Sequence, residues 1–385
     1  MNLTIDEVLS RGVAKILPTK SALKSVMQRK KIRLYQGFDP TGSRLHLGHT
    51  IGLRKLMQFA TLGHEVIFLF GTGTVLVGDP SQRDTARKLI TQAEIDQNIS
   101  NWKNQVKSIV DFSKVTIKQN GDWLTKLSLK DIVTIASNIS AIQLFKRESF
   151  QRRLKRGDTV WYHETMYPLL QGYDSVAMDV DLEIGGTDQE FNMLIGRELL
   201  HKMKRKDKFV LTVPMIVGTD GKQMSKTSGN CVWLDDTPED MFGKLMSLPD
   251  EQIKPYWELV TSLPLSDITG DPFADKKHLA SAIVSDLHSQ TAAKKAQEYF
   301  ATTVQQKSAP ENIEVIKFSS GDHTLYTICQ AANLDASNAQ IKRTIQQGGV
   351  EWDSQKITNP LQLIKVTEEH LLKFGKRTFK KILAV

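Results

Sequence analysis

The spacing of apolar residues changes several times along the chain, and each change marks an element. Residues 32–38 (IRLYQGF) combine β-branched and aromatic side chains and run into the turn-rich DPTGS, which predicts a short strand. From His46 to about Leu62 the apolar residues Leu47, Ile51, Leu53, Leu56, Met57 and Ala60 fall mostly at helical spacing, and Gly63 stops the run. Residues 65–70 (EVIFLF) are apolar after the first, as in a strand covered on both faces. Strand, helix and strand in this order form a βαβ unit, whose crossover is almost always right-handed. The same alternation returns later, with a strand at 178–184, a helix at 188–203 and a strand at 209–217.

Between these two βαβ halves lies a mostly helical stretch. The predicted fold class is therefore α/β: a doubly wound, Rossmann-type parallel sheet with a helical insertion. Ligands on such sheets sit beyond the carboxyl ends of the strands, where the two halves diverge. After Asn230 the pattern becomes helical to about Thr303. Thr237 is a predicted N-cap, Pro238 the first helical residue, and Glu239 and Asp240 suit the first turn. Residues 305–313, with Pro310, read as a linker, and a compact unit follows. The predicted division is 1–230, with its insertion at about 105–165, then an α-helical domain at 231–312 and a small α+β domain at 320–385.

Composition narrows the class without naming a chemistry. A chain of 385 residues with 24% charged side chains is too long for one core and too ordinary for wholesale disorder. Cys231 and Cys329 are too few for a disulfide framework or a Cys-rich zinc site, and they suit a reducing compartment. No apolar run approaches the ~20 residues of a membrane span. The opening MNLTIDEVLSRG lacks an apolar signal core and carries acidic residues early. A cytoplasmic protein with no membrane association is expected. The net charge of +8 permits a polyanionic partner without requiring one.

Two polar motifs carry chemistry. His46-Leu-Gly-His49 follows the first strand and opens a helix, where unpaired N–H groups, the helix dipole and two imidazoles favour a phosphate, and Gly48 lets it approach the backbone. No neighbouring Cys or HExxH supplies the further ligands a zinc site needs, and no protein metal site is predicted. Gly221-Lys-Gln-Met-Ser-Lys-Thr-Ser-Gly229 is a glycine-bounded loop whose lysines suit a transferring phosphoryl group or pyrophosphate. It lacks P-loop spacing. Gly71-Thr-Gly73 is a decoy, since a dinucleotide fingerprint wants glycine where Leu76 stands.

In combination, HxGH after the first strand, Gly185-Gly-Thr-Asp-Gln189 after a later one and MSKT beyond resemble the class I aminoacyl-tRNA synthetases. YQGFDPTGSRLHLGH (35–49), GDPSQRD (78–84), YPLLQGYDS (167–175) and GGTDQEFN (185–192) narrow the resemblance to the bacterial tyrosyl-tRNA synthetases, and 337–360 is similar to their S4-type RNA-binding module. The resemblance spans nearly the whole chain. It implies an ATP-dependent ligase that activates L-tyrosine and transfers it to tRNA(Tyr), with Mg²⁺ on the ATP phosphates and a homodimeric assembly. Tyr35 and Asp174 would read the tyrosine hydroxyl, with Asp79, Tyr167, Gln171 and Gln189 around the amino acid. Tyr167, Gln171 and Asp174 stand at i, i+4 and i+7, along one face of a helix. For ATP the resemblance implies Gly37, Asp39, His46, Gly48, His49, Gly186, Asp188, Met224, Ser225 and Lys226, with Thr41, His46, His49, Lys226 and Lys222 stabilising the transition state.

One position departs from the family. Its loop usually opens with lysine, as in KMSKS, whereas Gln223 stands here and Lys222 lies one place earlier. Basic runs at 146–156 and 202–208 read either as solvated faces or as RNA contacts, the first also as the flank of a dimer contact. Lys342, Arg343, Lys376 and Arg377 are the RNA candidates of the last domain. The competing readings are a tryptophan-type class I synthetase, a nucleotidylyltransferase sharing the HxGH fold, and an RNA-binding regulator that kept the fold and lost catalysis.

Overall fold

The computed structural model describes residues 3–79, 90–224, 229–305, 313–332, 334, 336–375 and 378–385. The chain forms two compact units, Met1–Ala293 and Lys294–Val385. In the first, six strands build one sheet: β1 (Lys15–Leu17), β2 (Arg33–Phe38), β3 (Glu65–Phe70), β4 (Val115–Gln119), β5 (Leu182–Gly186) and β6 (Phe209–Val213). Their spatial order is β1-β6-β5-β2-β3-β4, parallel except for β1, which runs antiparallel to β6. From β2 the chain moves outward through β3 and β4, whereas from β5 it moves the other way through β6. The order therefore reverses between β2 and β5, the switch point of a doubly wound sheet.

The predicted alternation is present, with two edge strands added and some ends moved. β1 has three residues and β4 a polar, half-exposed pattern, so neither carries a strong periodic signal. β4 pairs parallel with β3, and the sheet thus reaches into the predicted insertion. The strand expected at 178–184 begins at Leu182, because the helix Tyr162–Met178 runs to Met178 and ends on Asp179 in the left-handed conformation at φ 51°. β6 stops at Val213, before Pro214, which has no N–H to give the ladder.

The helix after β2, Leu47–Thr61, starts on His46 as its N-cap. The helices Tyr162–Met178 and Glu190–Lys204 cross closely at two glycines. A Cβ on Gly172 would lie 3.1 Å from the Cα of Gly196, so only hydrogen at both positions permits this approach. The helix Pro238–Met246 has the expected cap, the Thr237 side chain accepting from the Asp240 N–H at 3.2 Å. With Ile253–Val260 and Pro272–Leu287 it belongs to the first compact unit.

The second unit is α+β. It contains β7 (Val315–Phe318), β8 (Gly321–Thr324), β9 (Val350–Trp352), β10 (Gln355–Ile357), β11 (Leu363–Val366), β12 (Glu369–Phe374) and β13 (Thr378–Ala384). These strands form a five-stranded sheet, β10-β9-β12-β13-β7, and a two-stranded one, β11-β8. The helices Leu325–Ala331 and Asn338–Gln346 share with the larger sheet a core that includes Ile328, Cys329, Ile341, Ile345, Val350, Leu372 and Ile382. Most of the expected linker lies outside the described residues. Among the described residues no helix is long and apolar enough to cross a membrane.

Candidate active site

A cavity of about 360 Å³ opens at the carboxyl ends of β2 and β5, where the strand order reverses. Side chains alternate faces along a strand, so Tyr35 on β2 and Glu183 on β5, paired in register, point to the same side. Gly37, two residues beyond Tyr35, meets only Leu69 within 4 Å of where a Cβ would stand, which leaves room for a ligand.

The cavity floor is polar and almost wholly buried. The Tyr35 hydroxyl, on a side chain 1% exposed, lies 2.9 Å from the Ser175 hydroxyl. Asp174 is held from behind: its two carboxylate oxygens accept from the Trp123 indole N–H at 2.8 Å and the Asn120 amide at 3.0 Å. Burial pushes the Asp174 carboxyl well above the usual range, against the pull of those two donors. Burial likewise raises the Tyr35 phenol, which stays neutral. Tyr35 and Asp174 therefore line one cavity, each positioned by different neighbours.

Above the floor, a chain of side-chain bonds runs up one wall. Gln171 donates to Glu183 at 3.1 Å, and Asn192 donates to both Gln171 and Gln189 at 2.9 Å. Gln189 donates to Asp79 at 2.8 Å and to Asp188 at 3.0 Å. The other Asp79 oxygen receives Arg147 at 3.1 Å. Across the cavity Tyr167 donates to Asp39 at 2.9 Å, and the second Asp39 oxygen accepts from Thr74 at 2.7 Å. Asp39, expected beside the nucleotide, is thus tied directly to a residue expected beside the amino acid. Burial, with Asp39 and Asp79 nearby, holds the Tyr167 phenol protonated.

At the other end of the cavity stand His46, Gly48, His49 and Thr41. Nδ1 of His49 lies 3.1 Å from the His46 backbone N–H and 3.2 Å from the His46 carbonyl, so the ring is held against the start of its own helix. The two rings lie 4.0 Å apart. A Cβ on Gly48 would come within 3.0 Å of the His46 ring, so glycine there keeps the ring in place. The Thr41 N–H closes a tight turn on the Asp39 carbonyl at 2.7 Å. Gly186 and Asp188 meet in the turn leaving β5, where a Cβ on Gly186 would stand 2.4 Å from the Asp188 carboxylate.

The Gly221–Gly229 loop has a fastened base. Gln223 bridges to Val217, and Asn230 donates to the Asp220 carboxylate at 2.8 Å and the Gln223 carbonyl at 3.0 Å. Gln223 and Met224 line the cavity; Lys222 lies on the exposed turn outside it. Ser225 and Lys226 fall outside the described residues, as does most of GDPSQRD. The next segment crosses to the HxGH motif: the Leu47 N–H donates to Val232 at 3.0 Å and the Leu234 N–H to Leu45 at 2.8 Å. Among the described residues no group of three or more His, Cys, Asp or Glu is gathered as for a metal ion.

The basic runs divide differently from the sequence expectation. Arg147 and Arg153 are buried, the first on Asp79 and the second in a double contact with Glu164 at 2.6 and 3.0 Å. Lys208 is wholly buried and paired with Glu183. Each of these three is committed to a carboxylate and faces no RNA. In the second unit Lys342 and Arg343 are exposed on one helix, with the Lys342 ammonium 4.9 Å from the Tyr326 ring centre. Lys376 and Arg377 lie outside the described residues. Sequence reasoning missed Asn120, Trp123, Ser175, Glu183, Asn192 and Lys208; Ser175 and Asn192 stood in the quoted motifs YPLLQGYDS and GGTDQEFN, each at the last place.

Comparison with known proteins places the chain in a family. Residues 27–309 match the family described as tRNA synthetases class I (W and Y). The chain is 37% identical to a tyrosine–tRNA ligase of Dehalococcoides mccartyi, covering 98% of each chain. It is 38% identical to one of Carboxydothermus hydrogenoformans, over 98% of this chain and 97% of that one. Among solved structures, a C-terminally truncated mitochondrial tyrosyl-tRNA synthetase of Aspergillus nidulans shares the fold. Its TM-score is 0.66 at 22% identity, over 76% of this chain and 92% of that one.

Proposed function

This chain belongs to the class I tRNA synthetases of the tryptophan and tyrosine group, and we propose that it is a tyrosine–tRNA ligase. In the first step a carboxylate oxygen of L-tyrosine attacks the α-phosphorus of ATP. The bond to the β-phosphate breaks, and tyrosyl-adenylate and pyrophosphate form. In the second step the 3′-terminal ribose hydroxyl of tRNA(Tyr) attacks the adenylate carbonyl and AMP leaves. The observation that carries the tyrosine assignment is the buried polar floor, Tyr35 beside Ser175 and Asp174 held by Trp123 and Asn120, in an otherwise closed cavity bottom. Such a floor is costly to leave unpaired, so it rejects an amino acid lacking the hydroxyl.

The remaining roles follow from position along the cavity. Asp79, Tyr167, Gln171 and Gln189 take the ammonium and carboxylate of tyrosine. Asp188 takes the ribose hydroxyls, with Gly37, Asp39 and Gly186 giving the nucleotide access to the backbone. His46 and His49, at a helix N-terminus, join Thr41 and Lys226 in stabilising charge on the phosphates in the transition state. No covalent enzyme intermediate is needed, and catalysis is positioning plus electrostatic stabilisation. Mg²⁺ arrives on the ATP phosphates, as a hard cation with oxygen ligands. Lys222, outside the cavity wall, acts only from the loop's outer turn. We further propose a cytoplasmic homodimer, supported by the exposed Leu129, Val133, Ile142, Trp161 and Tyr162 of the insertion. Binding of tRNA by the second unit would use Lys342, Arg343, Lys376 and Arg377.

The test is amino-acid-dependent ATP–pyrophosphate exchange without tRNA. Exchange with tyrosine, and none with phenylalanine or tryptophan at equal concentration, is the expected result. Exchange with tryptophan alone, or with no amino acid in a folded sample, would overturn the reading.

A further inference from the structure

At the cavity floor lies a buried ion pair to which the reaction assigns no step. Lys208, just before β6, and Glu183, on β5, are 0% and 2% exposed and contact each other directly. Lys208 Nζ also donates to the Ser175 hydroxyl at 2.6 Å, and Ser175 in turn lies 2.9 Å from the Tyr35 hydroxyl. Gly196 makes room for this ammonium, since a Cβ there would stand 2.7 Å from Nζ. A fully buried lysine is rare and costly, and this one reaches toward the floor of the cavity.

Hydrogen-bond direction gives the arrangement a use. An ammonium has only donors, so the Ser175 oxygen must accept from Lys208. The Ser175 proton then goes either to Tyr35 at 2.9 Å or to Glu183 at 3.4 Å. The shorter contact wins, because at 3.4 Å a hydrogen bond is near its limit. Glu183 is meanwhile engaged by Lys208 and Gln171. Glu183 is also within reach of the Tyr35 hydroxyl as an acceptor. With that carboxylate engaged and its own oxygen accepting from Ser175, Tyr35 is left to turn its proton into the cavity. Asp174, both of whose oxygens receive donors, is an acceptor there.

We infer that Lys208 and Glu183, acting through Ser175, are positioning residues that fix Tyr35 as the donor to the substrate hydroxyl and leave Asp174 as its acceptor. This rests on the tyrosine reading above and adds to it which protein atom gives and which takes. Without the relay Tyr35 can point its proton at Ser175, and the floor then offers the substrate two acceptors for its single proton.

The experiment measures pyrophosphate exchange with tyrosine and with phenylalanine for the full chain and two variants. Ser175→Ala cuts the relay and keeps the ion pair. Lys208→Met with Glu183→Gln removes both charges together, so no lone charge is left buried. In the double variant, which leaves the Ser175 hydroxyl free to accept from Tyr35, kcat/KM for tyrosine is expected to fall about tenfold, at least, and the tyrosine-to-phenylalanine ratio with it, while KM for ATP holds. Ser175→Ala, which leaves Tyr35 no such acceptor, keeps the ratio. A merely structural role predicts lower stability with an unchanged ratio, and an unchanged ratio in the double variant overturns the inference. Failure of the unmodified chain to exchange with tyrosine would instead overturn the functional reading, and the relay with it.

Discussion

Lys55 offers a test of the electrostatics that is independent of any substrate. It lies on Leu47–Thr61, the helix that begins with the HxGH motif, and is 3% exposed. Its ammonium donates to the carbonyls of Val8 and Arg11, both at 2.7 Å, and so fastens the N-terminal segment to that helix. Burial, with Arg11 nearby, lowers its pKa from 10.5 to about 7, with Glu258 opposing. Between those two values the unfolded chain holds one proton more than the folded chain. Stability must therefore rise with pH across that window, by about 1.4 kcal/mol per pH unit. The penalty for the buried cation is present in full below about pH 7 and is relieved as pH rises toward 10. From pH 7.5 to 9.5 the expected gain from Lys55 is ~2–2.5 kcal/mol. The assay is urea unfolding at both pH values, for the unmodified chain and for Lys55→Met. Other titrating groups cancel in the comparison, so the variant should lack this gain. Equal pH dependence of the two proteins, within ~0.5 kcal/mol, would refute the argument.

Three further outcomes are expected. Gly196→Ala drives a methyl group against Lys208 and the Gly172 backbone, an overpacking strain of ~1–3 kcal/mol that should lower Tm by ~2–10 °C; an unchanged Tm by calorimetry would contradict the described crossing. Asn230→Ala removes the amide that ties Asp220 and Gln223 at the loop base. The maximal exchange rate should drop about tenfold with KM for tyrosine unchanged, since loop placement serves the phosphates, and a shift confined to KM for tyrosine would count against that role. Leu129→Asp with Val133→Asp should convert a dimer to monomers in sedimentation at micromolar concentration. Sedimentation of the unmodified chain as a monomer would remove the dimer proposal.

Much of the first unit was legible in the sequence because its signals are local. The strand at 65–70 and the helix after His46 have clear periods and nearby terminators, Gly63 among them, and the structure places both within a residue of the expected ends. β1 and β4 were not legible, since three residues at an edge and a polar half-exposed run carry little period. The same division separates the site residues. Tyr35 and Asp174 stand in recognisable segments and line the cavity. Lys208 reads as one more cation in a basic run, and the space for its ammonium comes from Gly196, outside that run. Arg147 and Arg153 mislead in the same way, because a carboxylate that buries an arginine is distant in sequence or hidden by the fold.

The ladder between β2 and β5 contains only two pairs, Leu34 with Leu182 and Tyr35 with Glu183. Its neighbours are longer, continuing to Phe38 against β3 and to Gly186 against β6. The sheet thus behaves like a zipper stopped at one tooth, and the last closed tooth is the residue that meets the bottom of the ligand. Depth is counted in backbone steps of ~3.3 Å, so side chains on the floor can be exchanged without moving it. Adding or removing one residue ahead of Tyr35 is another matter, because every later side chain in β2 would turn to the opposite face. Variation in what this cavity accepts is accordingly open to substitution and closed to insertion within the strand.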